Sequence, residues 1–209
     1  MPGKTPYSVH PSVAYAQAVL ANLEDASGKS LETWLRLVRE KGPTEPKRRQ
    51  AWFQAQGLGA NQAALLAERS DGEKASAFGD TEEAYFRAAA GYVERQYAGK
   101  KAPLWPLYEA LLAAGLAAGS EAKACPCQTF VPLFRNHVFA QIKPSTLCRI
   151  DLGLALGDPK QVKGAPRRLL STQGYAKRDR ITHRMEVARL SDVDATLKRW
   201  LALAYQRDS

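Results

Sequence analysis

The sequence predicts an α+β protein: a small all-helical N-terminal domain, then a helix pair, a four-stranded antiparallel sheet and a C-terminal helix. Apolar residues recur at helical spacing through most of residues 13–118. Beyond that point their period changes to two, which is typical of strands. A stretch rich in Ser, Gly, Asp and Lys, residues 70–80, indicates a linker. We therefore expect a helical domain at residues 1–72 and an α+β domain at residues 80–209.

Four helices are expected in the N-terminal domain, at residues 13–23, 31–40, 45–56 and 60–69. Ser30 is a natural N-cap for the second of them, and Gly42 followed by Pro43 ends it. The apolar residues of this helix are spaced so that they share one face, which includes Trp34. Trp34 is therefore expected in the core.

The second domain is expected to begin with two helices, at residues 81–97 and 103–118, the first of them capped by Asp80. Strand candidates follow at residues 127–134, 137–142, 147–156 and 181–188. Ser191 with Asp194 opens a final helix that ends near Tyr205. In the third strand, one face is expected to carry Cys148, Ile150, Leu152, Leu154 and Leu156, and the other Arg149, Asp151, Gly153 and Ala155. This alternation indicates a sheet that helices cover on one side.

Composition and cysteine usage favour a folded, soluble protein of the cytoplasm. With 45% hydrophobic and 24% charged residues, the chain has the composition of a globular protein rather than a disordered one. Residues 1–11 lack the apolar region of a signal peptide, and the most apolar segment, 104–118, is shorter than the roughly 20 residues that cross a bilayer. The odd number of cysteines, three, indicates reduced thiols. We expect no membrane partner, and the oligomeric state is left open.

The net charge of +9 is concentrated in one part of the chain. Residues 131–190 contain twelve basic and four acidic residues, so this stretch alone carries +8. Most of these cations lie in the long connection between the third and fourth predicted strands, residues 157–180; they are Lys160, Lys163, Arg167, Arg168, Lys177, Arg178 and Arg180. Such a loop would attract nucleic acid, an acidic protein or an anionic small molecule, although a generic solubilising surface explains the same charge equally well.

Several short motifs carry a resemblance to a known family. In the first domain they are SGKSLETW at residues 27–34 and GLG at 57–59. In the second, where the similarity is stronger, they are CPCQT at 125–129, RNHVFAQIKP at 135–144, RIDLGL at 149–154 and DRITHR at 179–184. Through these motifs nearly the whole chain resembles a bacterial pairing of two domains of unknown function, families 4287 and 5655, the second sometimes labelled a predicted transport protein. The resemblance implies a two-domain architecture, without an activity or catalytic residues.

One local motif suggests a phosphate-binding turn. Gly57 and Gly59, separated by one apolar residue, have the spacing of a helix-hairpin-helix turn. The glycines allow a tight turn, and the free N–H groups of the following helix would point at an anion. Lys47, Arg48 and Arg49, in the preceding helix, would add positive charge. A glycine C-cap before another helix explains the same residues and is the favoured interpretation.

The open face of the predicted sheet is a second potential site for nucleic acid. If the register permits, this face carries Phe130, Phe134, Phe139, Gln141, Arg149 and Arg184. Aromatic platforms flanked by cations bind single-stranded nucleic acid, and each stacked base contributes about 1–3 kcal/mol. Phenylalanines on strands are more often core residues, so burial of these rings is the favoured interpretation.

Metal binding receives little support from the sequence. Cys125 and Cys127 project to the same side of an extended segment, which supplies two ligands. A zinc site would need two more, and His137, Cys148 and His183 are the residues from which they would come. Buried or inert thiols are the favoured interpretation.

For catalysis, the polar cluster to consider contains Asp151 and His183. Alternation places His183 on the core face of the fourth strand, where a hydrogen-bonded histidine is expected. The neighbouring charged residues are candidates for cross-strand ion pairs; they are Arg149, Asp151, Arg184 and Glu186. We therefore assign no catalytic residue, no cofactor and no metal.

These observations favour a non-catalytic binding protein whose leading partner is nucleic acid. The residues predicted to bind it are Lys47, Arg48, Arg49, Gly57, Gly59, Arg149, Arg167, Arg168, Lys177, Arg178, Arg180 and Arg184. An acidic protein bound by the same basic loop is the alternative partner. A small-molecule or metal site near Cys125, Cys127 and His183 is a third class of function.

Overall fold

The structure, a computed structural model, describes residues 5–71 and 81–208, and the chain folds into two compact units. One unit contains the described residues of 9–88, and the other contains residues 5–8 together with 89–208. Residues 72–80, which make up most of the predicted linker and include the proposed N-cap Asp80, lie outside the described residues. The predicted boundary between residues 72 and 80 therefore stays a prediction.

The first unit is helical, as the sequence predicts. Its helices are α1 (Pro11–Ala21), α2 (Leu23–Ser27), α3 (Leu31–Lys41), α4 (Pro46–Ala55) and α5 (Ala60–Arg69). The first predicted helix is interrupted at Asn22, and the short α2 follows until Gly28 adopts a left-handed backbone with φ of 69°. Ser30 caps α3 as expected, because its side chain accepts a hydrogen bond from the Thr33 N–H.

The core of this unit forms around aromatic rings from α3 and α4. Trp34 is buried, which confirms its predicted place, and it meets Phe53 edge-on with ring centroids 6.1 Å apart. Its indole N–H donates to Ser27 Oγ at 2.9 Å, so the polar atom of this ring is satisfied. Leu66 of α5 completes the contact from the third side.

The α1 helix is capped by a histidine whose protonation state matters for stability. His10 Nδ1 accepts a hydrogen bond from the Ser12 N–H at 3.1 Å, which requires a neutral imidazole with its proton on the other nitrogen. Burial lowers the pKa of His10 to about 4. The folded protein therefore resists protonation at a pH where the unfolded chain, with an ordinary pKa of about 6.5, accepts a proton.

We expect acid to weaken this unit through His10. The contribution of His10 to the free energy of unfolding is fully present above pH 6.5 and is lost as the pH falls from about 6.5 to about 4. Because the imidazole is partly exposed, the expected loss is only about 1 kcal/mol. Urea unfolding at several pH values would measure it, with His10→Asn as the control, since Asn caps helices without titrating. An equal loss in that variant would assign the effect to other groups.

The second unit contains a six-stranded antiparallel sheet. Its strands are β1 (Lys123–Ala124), β2 (Val131–Phe134), β3 (Val138–Lys143), β4 (Ile150–Leu154), β5 (Leu169–Ser171) and β6 (His183–Val187), in the order β1-β2-β3-β4-β6-β5. The predicted α+β class is confirmed, whereas the predicted count of four strands is wrong. The two additional strands are edge strands of two and three residues, too short for an alternating pattern to reveal them.

Two helices cover one face of this sheet: α7 (Trp105–Leu116), which a 3₁₀ segment (Gly99–Leu104) precedes, and α8 (Ala195–Gln206). A further helix, α6 (Glu82–Gln96), begins in the first unit, and its second half contributes Val93 to the core of the second. Leu111 of α7 and Leu201 of α8 pack with Leu152 and Met185 in one continuous core. Asp194 alone is the N-cap of α8, since its side chain accepts from the Leu197 N–H at 2.9 Å, whereas Ser191, the predicted start of this helix, lies in a preceding 3₁₀ turn (Leu190–Asp192). No helix of the described residues is long and apolar enough to span a membrane.

One prediction of strand phase is wrong: Cys148 is exposed rather than on the buried face, because β4 begins only at Ile150. The favoured burial of Phe139 is confirmed, and its ring meets Tyr205 edge-on at 5.3 Å. The reason is a bulge in β3: Ala140 pairs with Leu133 and Val138 with Phe134, which leaves Phe139 as the extra residue.

Candidate functional site

The long basic connection between β4 and β6 is a folded loop that is anchored to the sheet. Besides β5, it contains 3₁₀ turns at Pro159–Gln161 and Tyr175–Lys177. Thr172 Oγ1 donates to the Ile181 carbonyl and accepts from the Gly174 N–H, each at 3.1 Å. A Cβ at Gly174 would collide with the Ile181 carbonyl oxygen, so only glycine allows this close approach.

An open cleft of about 800 Å³, here named the loop cleft, lies between this loop and the C-terminal end of α8. Its wall includes Tyr175, Arg178, Asp179, Arg180, Thr182 and Arg207. Three arginines against one aspartate make it cationic. The Tyr175 side chain is half-exposed, with 52% of its surface accessible, so an aromatic face is available beside the cations.

Each arginine of the loop cleft is held differently. Arg180 Nη2 lies 2.6 Å from Asp208 Oδ1, and Arg207 donates to the Leu156 carbonyl oxygen. Arg178 has no ion pair with any residue that the structure describes. Its backbone is left-handed, with φ of 57° and ψ of 28°, a conformation that costs a non-glycine residue about 1 kcal/mol. Such strain is characteristic of binding sites.

Asp208, which sequence analysis missed, organises the edge of the loop cleft. Its carboxylate is almost fully buried, with 2% of the side chain exposed. Besides Arg180, it accepts from the His137 N–H at 2.8 Å and contacts His137 Nδ1 at 3.2 Å. These contacts tie the end of α8 to the turn between β2 and β3. No local pattern identifies Asp208 or Arg207, because both follow the last turn of a helix.

The remaining predicted cations of the loop fall into two groups. Arg168 is compensated, since it pairs with Asp194 and donates to the Asp192 carbonyl at 3.0 Å. Arg167 and Lys177 are exposed and have no ion pair within the described part of the chain. Their charge is therefore available to a ligand.

On the open face of the sheet, the predicted polar residues form a closed ion-pair network. Arg149 lies 2.9 Å from Asp151 and 3.0 Å from Glu186, and Arg184 lies 3.0 Å from each of the same two carboxylates. Asp151 and Glu186 are directly opposite each other in the register of β4 and β6. Two positive and two negative charges cancel, so Arg149 and Arg184 offer no surplus charge to an anion.

The structure does not bring Asp151 and His183 together. His183 is opposite Leu154 on the core face, and 3% of it is exposed. Its Nδ1 lies 2.9 Å from Thr182 Oγ1, and burial, with the nearby Arg207 charge, lowers its pKa. His183 is therefore a neutral, hydrogen-bonded core residue at neutral pH.

The cysteine pair is similarly buried. Burial raises the pKa of Cys125 to about 12 and that of Cys127 to about 11, so both are neutral thiols at neutral pH. Cys127 Sγ donates to the Cys125 carbonyl at 3.8 Å. Within residues 5–71 and 81–208, no group of three or more His, Cys, Asp and Glu side chains could hold a metal ion.

In the first unit, the two-glycine turn joins α4 to α5. Gly57 has a left-handed backbone with φ of 96°, and Gly59 is the N-cap residue of α5. The Gly59 N–H donates to Gln62 Oε1 at 3.3 Å, so the helix supplies its own acceptor for this group.

The neighbouring cations do not converge on that turn. Arg49 donates to the Pro43 carbonyl at 3.2 Å, to the Ser70 carbonyl at 2.8 Å and to Asp71 at 2.6 Å. Arg49 therefore links the turn before α4 to the residues that follow α5. Arg48 pairs with Glu45 at 2.8 Å, which leaves Lys47 as the unpaired cation of this group among the described residues.

Comparison with known proteins identifies the second unit. A family model described as Domain of unknown function (DUF5655) matches residues 93–208, more than half of the chain. Searches of curated proteins and of solved structures found no match. The resemblance of the first domain to family 4287 stays a prediction.

Proposed function

Because this chain belongs to the family described as Domain of unknown function (DUF5655), we propose for this member a role as a non-catalytic nucleic-acid-binding protein. Its loop cleft would bind single-stranded nucleic acid. The proposal concerns the second unit, which the family model covers.

The observation that carries this proposal is the juxtaposition of Tyr175 with Arg178 and Arg207, neither of which has an ion pair among the described residues, in one open cleft. Single-stranded nucleic acid is bound by aromatic faces for its bases and cations for its phosphates. Tyr175 would stack a base, and Arg178 would contact a phosphate. The left-handed backbone of Arg178 supports a binding role, because a glycine would hold the same turn without strain.

Cations outside the cleft extend the same surface. Lys160, Lys163, Arg167 and Lys177 lie on the loop, and all four are exposed. Contacts between such side chains and phosphates supply affinity without selecting a sequence. We therefore propose binding that prefers single strands and tolerates many base sequences.

Fluorescence anisotropy across a salt series tests this function. We expect a labelled single-stranded oligonucleotide to bind more tightly than a duplex of the same sequence. With about four phosphates neutralised, log K should fall with log salt at a slope near −3, since each contributes about −0.7 in a single strand. The proposal would be overturned by the absence of binding at about 50 mM salt, or by tight binding whose affinity does not change with salt concentration.

A protein partner is the second candidate, and the edge strand β5 favours it. This strand ends the sheet order, and Leu170 on it is 38% exposed. Leu190, which follows the neighbouring strand β6, is 58% exposed. An exposed edge with apolar side chains can pair with a strand of another protein. A stoichiometric protein complex recovered after nuclease treatment, together with no retention on oligonucleotides, would favour this candidate over the first.

A further inference from the structure

A second cavity, here named the helix groove, opens at the other end of β3 and β4. The loop cleft begins just beyond the end of β4, whereas the helix groove contains the end of β3 and the following turn. Its volume is about 950 Å³. Four cations line it, and no acidic side chain of the described residues does; the cations are Arg95, Lys100, Lys101 and Lys143. Because three of them lie outside residues 131–190, the charge count along the sequence did not point to this cavity.

Two of the cations are fixed in place by contacts. Lys101 Nζ donates to the Pro144 carbonyl at 2.6 Å, which ties the 3₁₀ segment to the turn after β3. The Arg95 guanidinium lies over the Tyr92 ring, 5.2 Å from its centroid. Lys100 and Lys143 are exposed and form no ion pair within the described residues. Four positive charges thus surround one open space without a compensating carboxylate.

A buried amide adds a second chemical feature to the groove. Gln96 lines it and is 8% exposed. Its Nε2 donates to the Cys127 carbonyl at 2.7 Å, whereas its Oε1 has no hydrogen-bond partner among the described residues. A buried acceptor without a partner is unfavourable. A donor on a ligand would relieve this once the amide rotates toward the groove, because the oxygen itself has almost no accessible surface. Leu147, 54% exposed, places an apolar surface at the rim.

We propose that the helix groove binds a nucleoside phosphate, at a site separate from the loop cleft. Its phosphates would contact Lys100, Lys101 and Lys143. A ribose hydroxyl or a base amino group would donate to Gln96 Oε1. The face of the base would pack on Leu147. An inorganic phosphate offers only the first of these contacts. The groove should therefore bind a nucleoside phosphate more tightly than an inorganic phosphate.

Isothermal titration of the full chain with ADP and with pyrophosphate tests this site. We expect ADP to bind at least tenfold more tightly than pyrophosphate. Lys100→Ala combined with Lys143→Ala should weaken ADP binding at least tenfold. Arg39→Ala combined with Lys41→Ala, which removes the same charge from the exposed surface of α3, should leave it within twofold.

A further variant tests the role of the amide. Gln96→Met keeps the volume of the side chain and removes the whole amide, both the acceptor and the donor to the Cys127 carbonyl, so it should bring ADP affinity down to that of pyrophosphate. Urea unfolding of each variant would confirm that it folds. The proposal is overturned if neither probe binds at millimolar concentration, or if ADP and pyrophosphate bind wild-type protein with equal affinity. It is also overturned if Lys177→Ala with Arg178→Ala abolishes ADP binding while Lys100→Ala with Lys143→Ala does not. Because the oligonucleotide experiment uses a different probe, either proposal can fail without the other.

Discussion

Replacement of Arg167, Lys177 and Arg178 by alanine is expected to weaken binding of a single-stranded oligonucleotide about 100-fold at low salt. These three cations have no ion pair within the described residues, so their charges are free to contact phosphates. Removing three contacts should also reduce the salt slope by about 2, because each contributes about 0.7. Anisotropy titrations of wild type and variant at several salt concentrations measure both quantities.

Two control variants distinguish the loss of phosphate contacts from a loss of folding stability. Arg149→Gln and Arg184→Gln, combined with Asp151→Asn and Glu186→Gln, replace a neutral ion-pair network with neutral side chains, so binding should change less than threefold. Arg178→Gly removes one charge and also relieves the left-handed backbone, so it should raise the free energy of unfolding by up to about 1 kcal/mol while binding weakens. A triple variant with an unchanged salt slope would show that nucleic acid does not bind this loop.

Asp208→Ala is expected to cost about 3 kcal/mol of stability, the largest loss that we predict for a single substitution. The buried carboxylate accepts from the His137 N–H and pairs with Arg180, and its removal leaves both groups without their acceptor. Urea unfolding, followed by circular dichroism, measures the change. Asp194→Ala is the comparison: that carboxylate is 46% exposed, so loss of its cap and ion pair should cost only about 1 kcal/mol. A smaller loss of stability for Asp208→Ala than for Asp194→Ala would show that Asp208 does not hold the end of α8 in place.

Most helices and the central strands were predictable from local signals. Ser30 caps α3 as expected, because a cap depends on residues within one turn. The alternation in β4 was also predicted, since Ile150, Leu152 and Leu154 face a core that helices cover. The edge strands β1 and β5 were missed, because a few residues exist as strands only through their neighbours. The bulge in β3 that turns Phe139 toward the core was not predicted, because a bulge depends on the pairing of two strands.

The candidate site was predictable only in part. The sequence indicated a basic loop, and Arg178 and Arg180 do line the loop cleft. It did not indicate Tyr175, which lies in the second 3₁₀ turn of the loop, or Arg207 and Asp208, which follow the end of α8. The helix groove was missed because its cations come from the last turn of α6, from the segment after it and from the end of β3, and this strand is far from the other two in sequence.

The sequence by itself determined the α+β class, most element boundaries and the place of the surplus charge, because periodicity, caps and charge are properties of neighbouring residues. Only the tertiary structure decided which of these cations are neutralised by an ion pair and which remain unpaired. Arg180 meets Asp208, and Arg149 meets Glu186, across separations in sequence of 28 and 37 residues that no local pattern records. An ion pair forms wherever folding brings opposite charges within a few ångströms. The binding surface is therefore the set of cations that the fold leaves unpaired.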